Sequence, residues 1–177
     1  MPTLPPIASW DALHPLIVHF PIGLLLAAPV LIILGVAFRD GRRLFSIAAL
    51  VVMLMGTVAA YVAVGTGEAA AELAERTPQV SAVLERHEQL AETTRTLFTV
   101  LTVVFAAILF VPSLLKRQLG RGALVLVNAA FLVVYLAAAV FLADTGHNGG
   151  RLVHELEVRA MMAPPPAPPA EIGHARN

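Results

Sequence analysis

The sequence predicts an all-helical integral membrane protein, a four-helix up-and-down bundle. Of its 177 residues, 58% are hydrophobic and only 14% are charged, whereas soluble domains carry about 25% charged residues. Four stretches without charged residues are long enough to cross a bilayer, which takes about 20 apolar residues. They are residues 16–38, 44–64, 97–115 and 123–142. Because backbone groups in lipid must form hydrogen bonds within their own segment, we expect these stretches to be helices.

The connections between the spans predict which helices are neighbours. The loops at 39–43 and 116–122 are short and contain glycine, so each joins two antiparallel helices. The second and third spans are joined by a longer polar segment, in which Thr77 and Pro78 are typical of an N-cap followed by proline at the first helical position. The pattern predicts one helix from about Pro78 to Leu115, with its first third outside the membrane.

Two terminal segments are predicted to lie apart from the transmembrane domain, which covers residues 14–162. Residues 1–13 form an N-terminal arm without lysine or arginine. The first span therefore lacks the basic flank of a signal peptide and is expected to remain as a membrane helix. Residues 163–177 begin with the sequence APPPAPPA, which predicts an extended, disordered tail.

Charge predicts the orientation and excludes some classes of function. The loops at 39–43 and 116–122 hold six basic residues and one acid, whereas the rest of the chain holds six basic and eleven acidic residues. Basic loops stay in the cytoplasm, so in a bacterial inner membrane both termini would be periplasmic. A net charge of zero gives no field for binding nucleic acid. The absence of cysteine excludes Cys-ligated metals and covalent c-type haem.

All six histidines lie in the outward half of this topology. At about 1.5 Å per residue, all four helices bring polar groups to one outer layer, about 28–42 Å above the cytoplasmic ends of the spans. This layer is the predicted site. Its candidate residues are His14, His19, His87, His147, Glu68, Glu92 and Arg95. His154 and His174 lie further along the chain, and His174 falls in the tail.

His19 is the most unusual of these residues because it lies inside an apolar stretch. Polar groups at that depth normally face the bundle interior and have a partner. We therefore expect His19 to face inward and to matter most for the site. The alternative is a neutral imidazole bonded to a backbone carbonyl that Pro21 leaves free.

His87 lies on an apolar stripe of the third helix, with Glu85 and Arg86 off the stripe. The stripe follows helical spacing and consists of Val80, Val83, Leu84, His87 and Ala91. It predicts that the imidazole points into the assembly while the two charged neighbours are solvated. Arg95 is expected to pair with Asp144, Glu92 or an anionic cofactor group, or else to reach the membrane surface.

Three kinds of site remain open for this layer. Two imidazoles from the diagonal first and third spans can hold the iron of haem b, using His14 or His19 with His87, and Arg95 on a propionate. Against this, the depth estimate puts His87 about 6 Å above His14. A mixed nitrogen and oxygen set would instead suit zinc, copper or iron; it comprises His14, His19, His87, His147, Glu68 and Glu92. The layer would otherwise hold no cofactor and serve as a docking face.

Two motifs resemble those of a bacterial family of four-span predicted membrane proteins, a domain of unknown function. The sequence LHPLIVHFPIG at 13–23 is similar to the opening motif His-Pro-x-x-Val-His-Phe-Pro-Ile. The sequence TGHNGGRLV at 145–153 resembles Thr-Gly-x-x-Gly-Gly-x-Leu-Val. The family often continues with Tyr and then His-Gly-Val, whereas this chain has His154 and then Leu-Glu-Val at 156–158. Relatives are often joined to c-type cytochrome domains, which implies a respiratory setting.

The leading hypothesis is a membrane electron-transfer subunit, with haem b or a metal ion in the outer histidine layer. It would lie in the lipid bilayer and work with a c-type cytochrome or a respiratory complex, as a redox subunit rather than a stand-alone enzyme. A non-catalytic docking subunit of a larger complex is the alternative. A metal-dependent membrane enzyme is the third possibility.

Overall fold

A computed structural model describes residues 9–117 and 119–158, and the regular structure within them is entirely helical. A 3-10 turn at Asp11–Leu13 leads into five helices. They are α1 (His14–Ile17), α2 (His19–Ala37), α3 (Arg42–Glu72), α4 (Pro78–Leu114) and α5 (Arg121–His154). The predicted all-helical fold class is confirmed. The tail at 163–177, with His174, and most of the N-terminal arm lie outside the described residues.

Four helical segments are long and apolar enough to cross a membrane. The first runs through the 3-10 turn, α1 and α2 without interruption, and the others are α3, α4 and α5. They contain 27 to 37 residues, or about 40–56 Å at 1.5 Å per residue. A hydrocarbon core of about 30 Å therefore covers only part of each. The extension predicted for α4 alone is shared by α3 and α5, which continue past the predicted span ends to Glu72 and His154.

The start of α4 follows from its capping residues. Thr77 has extended backbone angles, and its hydroxyl accepts a hydrogen bond of 3.2 Å from the amide of Val80. Pro78 occupies the first helical position, where its missing N–H has no cost. The predicted helix from about Pro78 to Leu115 is confirmed, ending at Leu114.

The helices pack in chain order around a closed ring. Helix α2 packs on α3, α3 on α4, α4 on α5, and α5 returns to α2. The first and third spans are therefore diagonal, as expected for an up-and-down bundle. The core between them includes Leu25, Met53, Phe98, Phe105 and Tyr135, all fully buried.

Two local features determine how closely the helices approach each other and how far along their length they stay in contact. Gly56 allows a close approach of α3 to α2, because a Cβ atom there would lie 2.8 Å from the Leu25 side chain. A second apolar cluster joins the C-terminal ends of α3 and α5 to the N-terminal end of α4. It contains Ala71, Val80, Leu84 and Leu152, so the predicted stripe of α4 packs there. This cluster places the start of α4 against the ends of its neighbours.

Candidate functional site

His14 and His87 contact each other at the end of the bundle where the first span begins. Their ring centres are 6.4 Å apart and their planes are inclined at 82°. His14 begins α1 and His87 lies in α4, so the contact joins the two diagonal spans. The offset of about 6 Å along the bundle, estimated from the helical rise, therefore does not keep the two histidines apart, because their side chains reach each other.

The imidazole of His14 is held by α3. Its Nδ1 atom lies 3.0 Å from the carbonyl oxygen of Ala63 and 3.1 Å from the Thr66 hydroxyl. A carbonyl oxygen can only accept, so Nδ1 carries the proton and donates it. In the neutral ring Nε2 is then the unprotonated nitrogen, with its lone pair available to a ligand.

His87 is held in the same manner by α5. Its Nδ1 atom lies 3.0 Å from the carbonyl oxygen of Thr145, so Nδ1 again donates the proton. The Thr145 hydroxyl is itself 3.0 Å from that of Thr94 on α4, which ties α5 to α4 beside the site. His87 is half-buried, whereas Glu85 and Arg86 are exposed, in agreement with the apolar stripe.

The two Nε2 atoms are the nitrogen atoms of this pair that could bind a metal. Within the described residues, hydrogen bonds of the two rings involve Nδ1 alone. No side-chain nitrogen or oxygen in that part of the chain is both buried and without a partner. Each Nε2 is therefore at least partly exposed to solvent.

The surroundings of His87 favour its neutral form. It lies ten residues before the charge-free stretch that begins at Leu97, and so outside the spanning segment. Burial lowers the pKa of the His87 imidazole, while the Thr145 carbonyl and the Glu88 carboxylate act in the opposite direction. Burial prevails because it removes water from the charged ring. A neutral imidazole is the form that binds a metal.

The prediction that His19 faces the bundle interior is wrong. Its side chain is exposed and points away from the bundle interior, as does that of Phe20, whereas Pro21 is buried. Five residues separate His19 from His14, which turns the helix by about 140° beyond a full turn. When His14 points inward, His19 consequently points away from the site.

The predicted mixed metal set is not assembled either. Of its members, His19, Glu68, Glu92 and His147 are all exposed. Across residues 9–117 and 119–158, there is no group of three or more histidine or acidic side chains that could hold a metal ion. The structure thus brings together two members of the predicted layer, His14 and His87.

Arg95 has an aromatic neighbour rather than the predicted acid. Its guanidinium carbon lies 5.1 Å from the centre of the Tyr61 ring, a cation–π distance. Asp144, one of the acids proposed for it, lies 3.4 Å from Arg86 instead. Arg95 is therefore on the α3–α4 surface.

The residues that hold the imidazoles were missed by sequence reasoning. They are Ala63, Thr66 and Gly67 on α3 and Thr145 and Gly149 on α5. A backbone carbonyl that accepts a hydrogen bond leaves no trace in side-chain identity, but the glycines did offer a signal. Glycine weakens a helix interior, so one that occurs in long helices calls for a packing reason.

These features define an integral membrane four-helix protein with paired histidines at one end of the bundle. Residues 10–161 match the family described as "Predicted membrane protein (DUF2231)". The chain belongs to this family, as its motifs suggested. No curated protein and no solved structure matches the chain.

Proposed function

We propose that this protein is an electron-transfer subunit of the bacterial inner membrane, with a haem b iron between His14 and His87. The observation that supports it is the pair itself: two imidazoles from diagonal spans, 6.4 Å apart, each with a free Nε2. His14 and His87 would hold the haem through these two nitrogen atoms, and neutral imidazoles are among the ligands that haem iron takes. The donor type therefore fits axial ligands.

The number of donors favours haem over a bare ion. A structural zinc site takes four protein ligands and a catalytic one takes three, whereas the described residues supply two. Haem supplies its own equatorial nitrogens and needs only the axial pair. When bound, haem would supply one-electron transfer, and the residues of this chain would hold and orient it. A zinc, copper or iron ion with exogenous ligands is the alternative cofactor.

Charge and family setting support the location and the partner. The six basic residues of the loops at 39–43 and 116–122 would hold that side in the cytoplasm, which makes the histidine end periplasmic. The outward part of the chain has more acids than bases and would attract a basic partner. The resemblance to proteins joined to c-type cytochrome domains makes such a cytochrome, or a respiratory complex, the proposed electron partner.

An absorption spectrum tests this function. Protein purified from bacterial membranes should show a Soret band, and reduction should produce an α-band. His14→Leu and His87→Leu should each abolish both bands, while the exposed His147→Leu should retain them as the matched control. A colourless wild-type protein without bound metal would contradict the proposal and favour the docking subunit. Metal without haem would contradict the haem assignment.

A further inference from the structure

We propose that Gly67 and Gly149 are positioning residues that orient the His14–His87 pair through backbone carbonyls. Each glycine leaves one backbone carbonyl of its own helix exposed to an imidazole. The imidazole donates its Nδ1 proton to that carbonyl, so both Nε2 atoms keep a lone pair that can bind a metal. The inference rests on the proposed function only for what the Nε2 atoms bind, since the arrangement of the two rings stands on its own contacts.

The two imidazoles occupy matching positions. His14 donates to the carbonyl of Ala63, four residues before Gly67. His87 donates to the carbonyl of Thr145, four residues before Gly149. In each case the histidine lies on the first helix of a hairpin and the glycine on the second. The two hairpins thus contribute one equivalent half of the pair each.

Glycine gives each imidazole room at these positions. A helical side chain covers the turn that precedes its own Cα atom, and so covers the carbonyl four residues earlier. A Cβ atom at Gly67 would lie 2.9 Å from Cε1 of His14, and one at Gly149 would lie 3.0 Å from Cε1 of His87. A Cβ atom at either position would therefore require the imidazole to shift relative to its carbonyl.

The residues before the two glycines match as well. Thr66 and Asn148 are both buried. The Thr66 hydroxyl lies 3.0 Å from the carbonyl oxygens of both Val62 and Ala63 and donates to this pair, and the Asn148 amide donates to the carbonyl of Asp144 at 2.9 Å. Both side chains are thus satisfied within their own helix. The carbonyls of Ala63 and Thr145 also accept from the imidazoles, each at 3.0 Å from an Nδ1 atom.

The tautomer of each ring gives a direct test. The full-length protein, labelled with ¹⁵N-histidine and free of added metal, should show the Nδ1–H tautomer for both rings. Gly67→Ala should convert His14 to a mixture of tautomers and leave His87 unchanged, and Gly149→Ala should do the reverse. Alanine favours helix over glycine, so the helices should be retained. Gly146→Ala and Gly150→Ala are matched controls, because a Cβ there meets nothing within 4 Å.

Cofactor binding gives the second readout. Each glycine variant should lower the affinity for added haem by about 10–100-fold, as is typical when the hydrogen-bond partner of a ligand is disturbed. Retention of the Nδ1–H tautomer in both glycine variants would overturn the inference, whatever the spectrum shows. A protein that binds no haem but shows the expected tautomer changes would support this inference and contradict the proposed function.

Discussion

The hydroxyl of Tyr135 donates a hydrogen bond of 2.7 Å to the carbonyl oxygen of Leu25, from α5 to α2. In a regular helix that carbonyl would accept from the amide four residues later. The residue there is Pro29, which has no N–H. Tyr135 therefore supplies the donor that the proline removes, at a depth where no water is present to replace it.

Tyr135→Phe should reduce the free energy of unfolding by about 1–3 kcal/mol, because it leaves a buried carbonyl unpaired. Pro29→Ala restores the amide donor, so the same substitution should cost clearly less in that background. Unfolding of the four proteins of this double-mutant cycle in mixed micelles measures the difference. Equal costs in the two backgrounds would show that Pro29 and Tyr135 are not coupled.

Features that depend on composition and on amphipathic pattern were predictable from the sequence. The four spans follow from charge-free length, and the start of α4 follows from Thr77 and Pro78. The inward position of His87 follows from its stripe, since outside the membrane a helix must separate apolar from polar residues. In the part of α4 that carries this stripe, water distinguishes one face of the helix from the other.

The rotation of the first span was not predictable in this manner. In lipid, residues on both faces are apolar, so the sequence around His19 contains no sign of which side faces the bundle. The rule that polar groups within a span face inward therefore gave the wrong prediction for His19. Backbone acceptors such as Ala63 and Thr145 were also out of reach, because any residue type supplies a carbonyl.

His19→Leu should leave the site intact, contrary to the expectation from the sequence. The exposed side chain contributes no hydrogen bond to the bundle within the described residues, so unfolding should change by no more than about 0.5 kcal/mol. His14→Leu, by contrast, removes the donor to Ala63 and one of the two Nε2 atoms. The absorption spectrum and thermal unfolding of both variants provide the comparison. Loss of the cofactor in His19→Leu would contradict this prediction and show that His19 takes part in cofactor binding.

The orientation prediction is that both termini are periplasmic. It follows from the basic residues in the loops at 39–43 and 116–122. Alkaline phosphatase, which is active only in the periplasm, should be active when fused after Asn177 and inactive when fused within 116–122. The reverse pattern would place the histidine pair on the cytoplasmic side and remove a periplasmic cytochrome as its partner.

Acidification should destabilise this histidine end of the bundle through His87. Because burial lowers its pKa in the folded protein, the unfolded chain binds more protons between the ordinary pKa of about 6.5 and the lowered one. Stability is therefore full above about pH 6.5 and decreases as the pH falls below it. The groups that face this ring are the His14 imidazole, the Thr145 carbonyl and the Glu88 carboxylate. Of these, the Thr145 carbonyl and the Glu88 carboxylate oppose the effect of burial on the pKa of His87. Thermal unfolding should thus occur at a lower temperature at pH 5.5 than at pH 7.5. His87→Gln should reduce this difference, whereas the exposed His154→Gln should preserve it. An undiminished pH dependence in His87→Gln would assign the effect to other groups.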